Sequence, residues 1–377
     1  MHYRILLATL GLSALLVLSA CNTVGGRVSD ALEDEVKSNL VGEVKLVVAH
    51  RQPPQPLEVG VVLFDPGIPR DVSKHQELGV YPQIRTAEAR YIPYLLRKAL
   101  VDSNQWGPVR VVPQADSSLA LLVQGTIVRA DGLQLALDIT VRDSSGRVWL
   151  DRIYRDEAVE RDYLSSQNSG ADPFGDIYRK IANDMALAMG RLSKTQLRRV
   201  TQIAELMYAR QLSPQSFAHY LSESPEGDVE LVRLPAVGDP MLARIGKLRD
   251  KQHLFTDTVD QHYMSLYEEM SNAYLLWRQY GREIALYKDE RERRLQDRQR
   301  SGRRGSFTAM QEAYAAYRWS KVQQEDMDEL AQGFNNEVAP TVVELDGRVF
   351  HLTGSLQKQY QKWQGILEEL FALESGL

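Results

Sequence analysis

The sequence is poor in the residues that carry most recognisable chemistry. It has one cysteine in 377 residues, at position 21. No intramolecular disulfide and no cysteine-rich metal site can therefore form, and stability must come from core packing. The seven histidines (His2, His50, His75, His219, His253, His262, His351) include no His-x-x-x-His or His-Glu-x-x-His pair to grip zinc. His262 with Asp257 or Asp260 is the one combination that could face a metal, and the bundle seam is the favoured place for it. Gly-x-Ser-x-Gly is absent, and neither Gly125 nor Gly146 belongs to a Gly-Lys-Ser/Thr phosphate loop. No cofactor is expected. Basic excess is missing too. With Lys+Arg 45 against Asp+Glu 50 the net charge is -5, which argues against nucleic acid as a partner, because neutralising phosphates needs a basic face. Long apolar runs are also absent. The longest, Ile5–Leu18, has 14 residues, short of the roughly 20 that span a bilayer.

What is present begins with that run. Arg4, the apolar stretch and the small residues Ser19-Ala20 have the parts of a secretory signal peptide. The ending Leu18-Ser19-Ala20-Cys21 resembles the lipobox of bacterial lipoproteins, and the sole cysteine sits at its acylated position. The competing reading is an ordinary secreted protein cut after Ala20. The resemblance implies a diacylglyceryl group and an N-acyl chain of palmitate type on Cys21. One myristoyl-length chain holds only marginally at about 0.8 kcal/mol per buried CH₂, whereas two or three anchor permanently. Asn22 replaces the aspartate that retains such proteins in the inner membrane of enteric bacteria. The resemblance therefore implies a lipid anchor on the periplasmic leaflet of the outer membrane. Loss of Arg4 with the leader moves the charge to about −6, that is −5 minus 1.

Patterning divides the remainder. Residues 1–20 are the signal peptide and 21–56 a lipidated tether. A short amphipathic helix is expected over Val28, Leu32, Val36 and Leu40, and Pro53, Pro54 and Pro56 favour an extended link. Residues 57–160 read as an α+β domain. Leu57–Phe64 and Val109–Val112 are strand runs, and Thr86 opens a helix with Ala89, Ile92, Leu95, Leu96 and Ala99 on one face. Leu119–Val128 is a strand, Asp131-Gly132 a hairpin turn, and Leu133–Val141 alternates strictly. Arg147–Tyr154 follows the turn Asp143–Gly146. Residues 161–237 form a helical connector and linker. Asp172-Pro173 opens a helix there, Leu197–Tyr208 continues helical, Ser213-Pro214 caps a short one, and 222–238 read as linker. Residues 238–377 read as a long-helix bundle. Its stripe runs Phe255, Val259, Leu266, Met270, Ala273, Trp277, Ile284; a returning helix starts at Ser306, and a last helix runs from Pro340 through Val342, Leu345, Val349 and Leu352. The expected fold is α+β, a small αβ domain followed by an antiparallel coiled-coil-like bundle.

The strand ending Phe64-Asp65-Pro66, the helix ending near Asn104-Gln105-Trp106, Gln124-Gly125-Thr126, and Asp143 through Gly146-Arg147-Val148-Trp149 resemble the TolB-amino-terminal-like domain. That domain occurs in the curli secretion lipoprotein and in lipoprotein activators of penicillin-binding proteins. The resemblance implies binding to envelope components or oligomerisation, and no catalytic residue; over its whole length the chain looks more like uncharacterised proteobacterial lipoproteins. Arg303 and Arg304, at a charged bend, are candidates for touching lipid phosphates or a protein, against the alternative of a solvated, salt-bridged helix end. Adjacent pairs such as Glu268-Glu269 and Glu368-Glu369 point about 100° apart on a helix and belong on solvated faces. The expectation is a non-catalytic outer-membrane lipoprotein that binds an envelope protein. The alternatives are an oligomeric secretion or pore lipoprotein and an enzyme acting on peptidoglycan or lipid. The oligomeric state is left open.

Overall fold

The computed structural model describes residues 40–116, 118–300, 341–345 and 348–375. The expected leader, Cys21, the short helix over 28–40 except for its last residue Leu40, the returning helix from Ser306, and Arg303 and Arg304 lie outside them. Val41–Leu377 is one unit by its internal contacts.

Valine-rich runs sit at the centre of the sheet because both their faces are covered. β1 (Val59–Val62) pairs in parallel with β2 (Val109–Val112) on one side and β3 (Leu121–Ala130) on the other. β3, β4 (Gln134–Asp143) and β5 (Val148–Glu157) continue as antiparallel neighbours, giving the order β2-β1-β3-β4-β5. The short helix α1 (Ser73–Glu77) and α2 (Pro82–Asp102) connect β1 to β2. The fold is α+β. The strict alternation in β4 has the expected result: Leu135, Leu137, Ile139 and Val141 are buried, while Asp138 and Arg142 are exposed.

α2 starts four residues before the expected Thr86, because Pro82 at its first turn needs no amide partner. Its sides are buried between the sheet and the helices that follow. Those are α3 (Glu160–Ser169), α4 (Gly175–Gly190), α5 (Lys194–Leu212) and α6 (Pro214–Phe217). α3 was not expected, since only Tyr163 and Ser166 are buried. Its ends explain it: Asp162 accepts from the Val159 amide at 2.8 Å, and Gly170 closes it in the left-handed region. α4 begins at Gly175, not at Pro173; Asp172 instead accepts from the Phe174 amide at 2.9 Å. α5 is a separate helix, capped at Ser193 by the reciprocal bonds of Ser193 and Gln196.

Three further expectations are corrected. Residues 222–238 are not all linker, because β6 (Leu221–Glu223) pairs with β7 (Val229–Leu231). Residues 41–52 are docked. The Val41 amide bonds the Arg155 carbonyl at 2.8 Å, the Val44 amide bonds Asp176 at 2.6 Å, and Asn183 exchanges bonds with Val47 and Lys45. Finally, no helix starts at Pro340. Thr341–Leu345 (β8) and Arg348–Leu352 (β9) pair as a hairpin, and helix α8 begins only at Leu356 and runs to Ser375. The valines there favour strands, and the apparent helical spacing coincides with strand positions.

α7 (Pro240–Arg300) is a single helix of 61 residues, about 90 Å long at 1.5 Å per residue. Its stripe packs on the α+β layer rather than on a bundle alone. Phe255, Val259, Tyr267, Tyr274 and Trp277 join the same core as Val59, Ile92 and Leu137. α7 and α8 also meet through the stacked Phe255 and Trp363 rings, 5.0–5.1 Å from Phe255 to Tyr360 and Trp363. Together with α2 they close the outer edge of β2. Arg97 donates to the Val109 carbonyl at 2.8 Å, Asp260 accepts from the Val111 amide at 3.0 Å, and Tyr360 donates to the Val111 carbonyl at 3.4 Å. A sheet edge is a pairing hazard unless covered, and here side chains cover it.

Candidate functional site

Charged residues inside apolar runs mark the two polar centres. Glu58 precedes β1, Arg110 lies in β2, and α7 brings Arg249, His253 and Asp257 over them at helical spacing. Glu58 Oε1 takes His253 Nε2 at 3.0 Å and an Arg110 guanidinium nitrogen, while Oε2 takes Arg249 Nη2 at 3.0 Å. Arg110 also holds Asp257 with two bonds, at 2.7 and 3.1 Å. Burial alone would raise the Glu58 carboxyl. The hydrogen bond and charge of His253, with the charges of Arg249 and Arg110, outweigh burial and hold its pKa below the ordinary value. Both Glu58 oxygens are occupied, so it orients His253 and fastens α7 to the sheet; it is not a free base.

Above this node lies a cleft of about 480 Å³. One wall is α5, whose Thr201, Glu205 and Tyr208 recur at four and three. The other is α7, with Leu242, Ile245, Arg249 and His253, and the strand entries Pro56, Glu58 and Pro108 form the floor. Glu205 and Asp250 stand exposed at the mouth. Tyr208 is only 7% exposed, and burial, followed by the nearby Asp116 charge, raises its hydroxyl pKa, so it is a neutral phenol. Arg249 Nη2 also donates to the Ser118 carbonyl at 2.9 Å.

The second centre is closed to solvent. Arg278 of α7 lies between the rings of Phe174 and Tyr274, 4.7 Å from each centroid. Asp172 stands 3.6 Å and Glu88 3.8 Å from its guanidinium, and all three side chains are at most 6% exposed. Tyr274 donates to Glu88 at 3.0 Å. Burial drives the Glu88 carboxyl above its ordinary pKa against Arg278 and Arg85. Arg85, beside Glu88 at 3.4 Å, also donates to the Ile127 and Ala130 carbonyls around the β3 bulge. This centre joins α2, α7, the entry to α4 and the sheet.

Of the residues weighed for metal, the His262 side chain lies outside the described ones, and the two carboxylates are engaged elsewhere. Asp257 pairs with Arg110 and Asp260 with Arg97 at 3.2 Å, and no group of three or more metal-binding side chains occurs among the described residues. Tyr274, Trp277, Tyr360 and Trp363 are core, and Glu268, Glu368 and Glu369 are exposed. Cys21, Arg303 and Arg304 lie outside the described residues. Glu58, Arg110, Arg249, His253 and Arg278 were missed. Their signal was a charge inside an apolar strand or stripe: Glu58 in LEVGVV, Arg110 in VRVV, Arg278 in LLWRQY. Comparison of the chain with protein-family models, with curated proteins and with solved structures finds no match.

Proposed function

We propose that this chain is a non-catalytic, lipid-anchored protein of the bacterial outer membrane, facing the periplasm, which binds another envelope component such as a synthase or a secretion or assembly machine. The observation that carries the proposal is the leader ending Leu18-Ser19-Ala20-Cys21, with the only cysteine of the chain at the acylation position. Supporting the non-catalytic part, both oxygens of Glu58 are engaged, and no described hydroxyl bonds His253 as a nucleophile would. Residues 57–160 are read as a TolB-amino-terminal-like domain. The support for that reading is the β-α-β-β-β order with β1 central in the sheet. Confinement to a membrane plane raises effective concentration, so modest contacts suffice for partner binding.

Mass spectrometry of the mature amino terminus tests the anchor: a diacylglyceryl thioether on Cys21 is expected, and Cys21→Ser is expected to leave the membrane fraction. An unmodified thiol or an uncut leader overturns it. In-cell crosslinking from Asp138 and Thr140, on the open face of β4, tests the partner; recovery of no envelope protein counts against the binding role.

A further inference from the structure

Residues 41–52 stand between Cys21 and β1 in the chain, and polar bonds to their backbone hold them on the body. Asp176, Arg179 and Asn183 recur at three and four on one face of α4, and all three bond this strap. Asp176 accepts from the Val44 amide at 2.6 Å, and Arg179 donates to the Val44 carbonyl at 2.8 Å. Asn183 accepts from the Val47 amide at 2.8 Å and donates to the Lys45 carbonyl at 2.9 Å. The spacings match, because seven steps along a helix and three along an extended chain both cover about 10 Å. Just past the end of α2, the Ala49 amide donates to the Ser103 carbonyl and Asn104 donates to the Ala49 carbonyl, each at 2.9 Å. Little burial accompanies these bonds. No residue from Val41 to Pro56 is buried, and Leu57 is the first that is. Val41 and Leu46 pack partly against the core, while Val47 and Val48 are 56% and 54% exposed. Exposed polar bonds are exchanged for water at small net cost, and every residue released regains backbone freedom. Such a segment opens locally far more readily than a core strand.

We propose that residues 41–52 are a releasable strap, docked along α4 in one state and peeled away in another, which gives the body two lengths of tether. Release frees twelve residues, about 40 Å of extended chain. It also moves the point where the tether leaves the body. Docked, that point is Val41, bonded to the Arg155 carbonyl near the end of β5; released, it is Leu57, whose carbonyl holds the Gly107 amide ahead of β2. The release rests on the contacts of the strap alone; its consequence for reach from a membrane rests on the lipid anchor proposed above.

Hydrogen exchange and limited tryptic digestion of the full chain in detergent micelles test the release. The Val44 and Val47 amides are expected to exchange at least about a hundredfold faster than the amides of β3 and β4. Cuts after Lys45 and Arg51, both exposed, are expected to precede any within α2 or α4. Arg179→Ala with Asn183→Ala removes three of the bonds. It is expected to speed exchange in the strap several-fold further, with sheet exchange and the thermal midpoint unchanged. Strap amides that exchange only together with the sheet, or a double substitution that accelerates both alike, overturn the strap. Reach is read on the acylated chain in vesicles, with a dye on Asp138→Cys, an exposed position, and energy-transfer acceptors in the bilayer. The double substitution is expected to lengthen the mean distance from dye to membrane, and an unchanged distance overturns the two-length tether. Mass spectrometry of Cys21 separates the two readings: a bare thiol removes the anchor, while release still stands or falls on exchange.

Discussion

Asp260 shows how a fully buried carboxylate behaves when its partners do not outweigh desolvation. Its side chain is 1% exposed, it accepts from the Val111 amide, and Arg97 stands 3.2 Å away. Tyr94, Asp257 and Tyr360 also face it. Burial still pushes its carboxyl up to about 7, with the Val111 amide and Arg97 opposing and Asp257 adding to the rise. A carboxyl whose folded pKa is raised contributes most below its unfolded pKa near 4 and loses that contribution as pH rises through 7. Asp156, pushed to about 7 mainly by burial, acts in the same window. Glu58, held low, acts oppositely: its contribution is present above its unfolded pKa and lost on acidification. Denaturant titrations are therefore expected to show stability falling between pH 4 and 8. Asp260→Asn should remove part of that slope, on the order of 2–4 kcal/mol, and be no less stable than wild type at pH 8. An unchanged slope contradicts the assignment.

Among elements, the β3–β4 turn and α7 approach each other backbone to backbone. Gly132 has φ +83, and a Cβ there would sit 2.0 Å from the Arg278 carbonyl oxygen; one on Gly281 would sit 2.6 Å from the Asp131 carbonyl oxygen. These neighbours are backbone, so neither side can yield by rotating a side chain. Gly132→Ala and Gly281→Ala are each expected to cost roughly 2–4 kcal/mol by overpacking or strain. Gly170→Ala, also at positive φ but in open space, should cost only about 1 kcal/mol. Thermal unfolding of the three variants compares them directly, and equal losses would sink the close-approach account. The hairpin β8–β9 belongs to this scale as well. Asp346-Gly347 between valine-rich runs is a strong two-residue hairpin signal, but Val342, Leu345, Val349 and Leu352 also fit three-and-four spacing. Short apolar runs satisfy both periods, so the neighbouring helix pattern misled the reading.

Across the whole molecule, the carboxyl-terminal helices complete the sheet rather than stand apart from it. Trp363 is 1% exposed against Phe255, and the adjoining Tyr360 helps close the β2 edge. Trp363→Ala is expected to destabilise by about 3–5 kcal/mol and, by loosening the edge cover, to promote self-association on mild heating, measurable by light scattering. Unfolding confined to α8 with an intact sheet would contradict that dependence. The α+β class, the strands of the five-stranded sheet and the start of α7 were legible from the sequence, because alternation, three-and-four spacing and Asp-Gly or Asp-Pro signals are local properties. The same holds for the burial of Leu135, Leu137, Ile139 and Val141. Position in the tertiary fold alone decided that α7 lies on the αβ layer, that 41–52 are docked, and that Glu58 meets His253 nearly 200 residues away. Those outcomes depend on which apolar faces meet and which buried charges neutralise one another, and no single stretch of chain encodes both halves of such a contact.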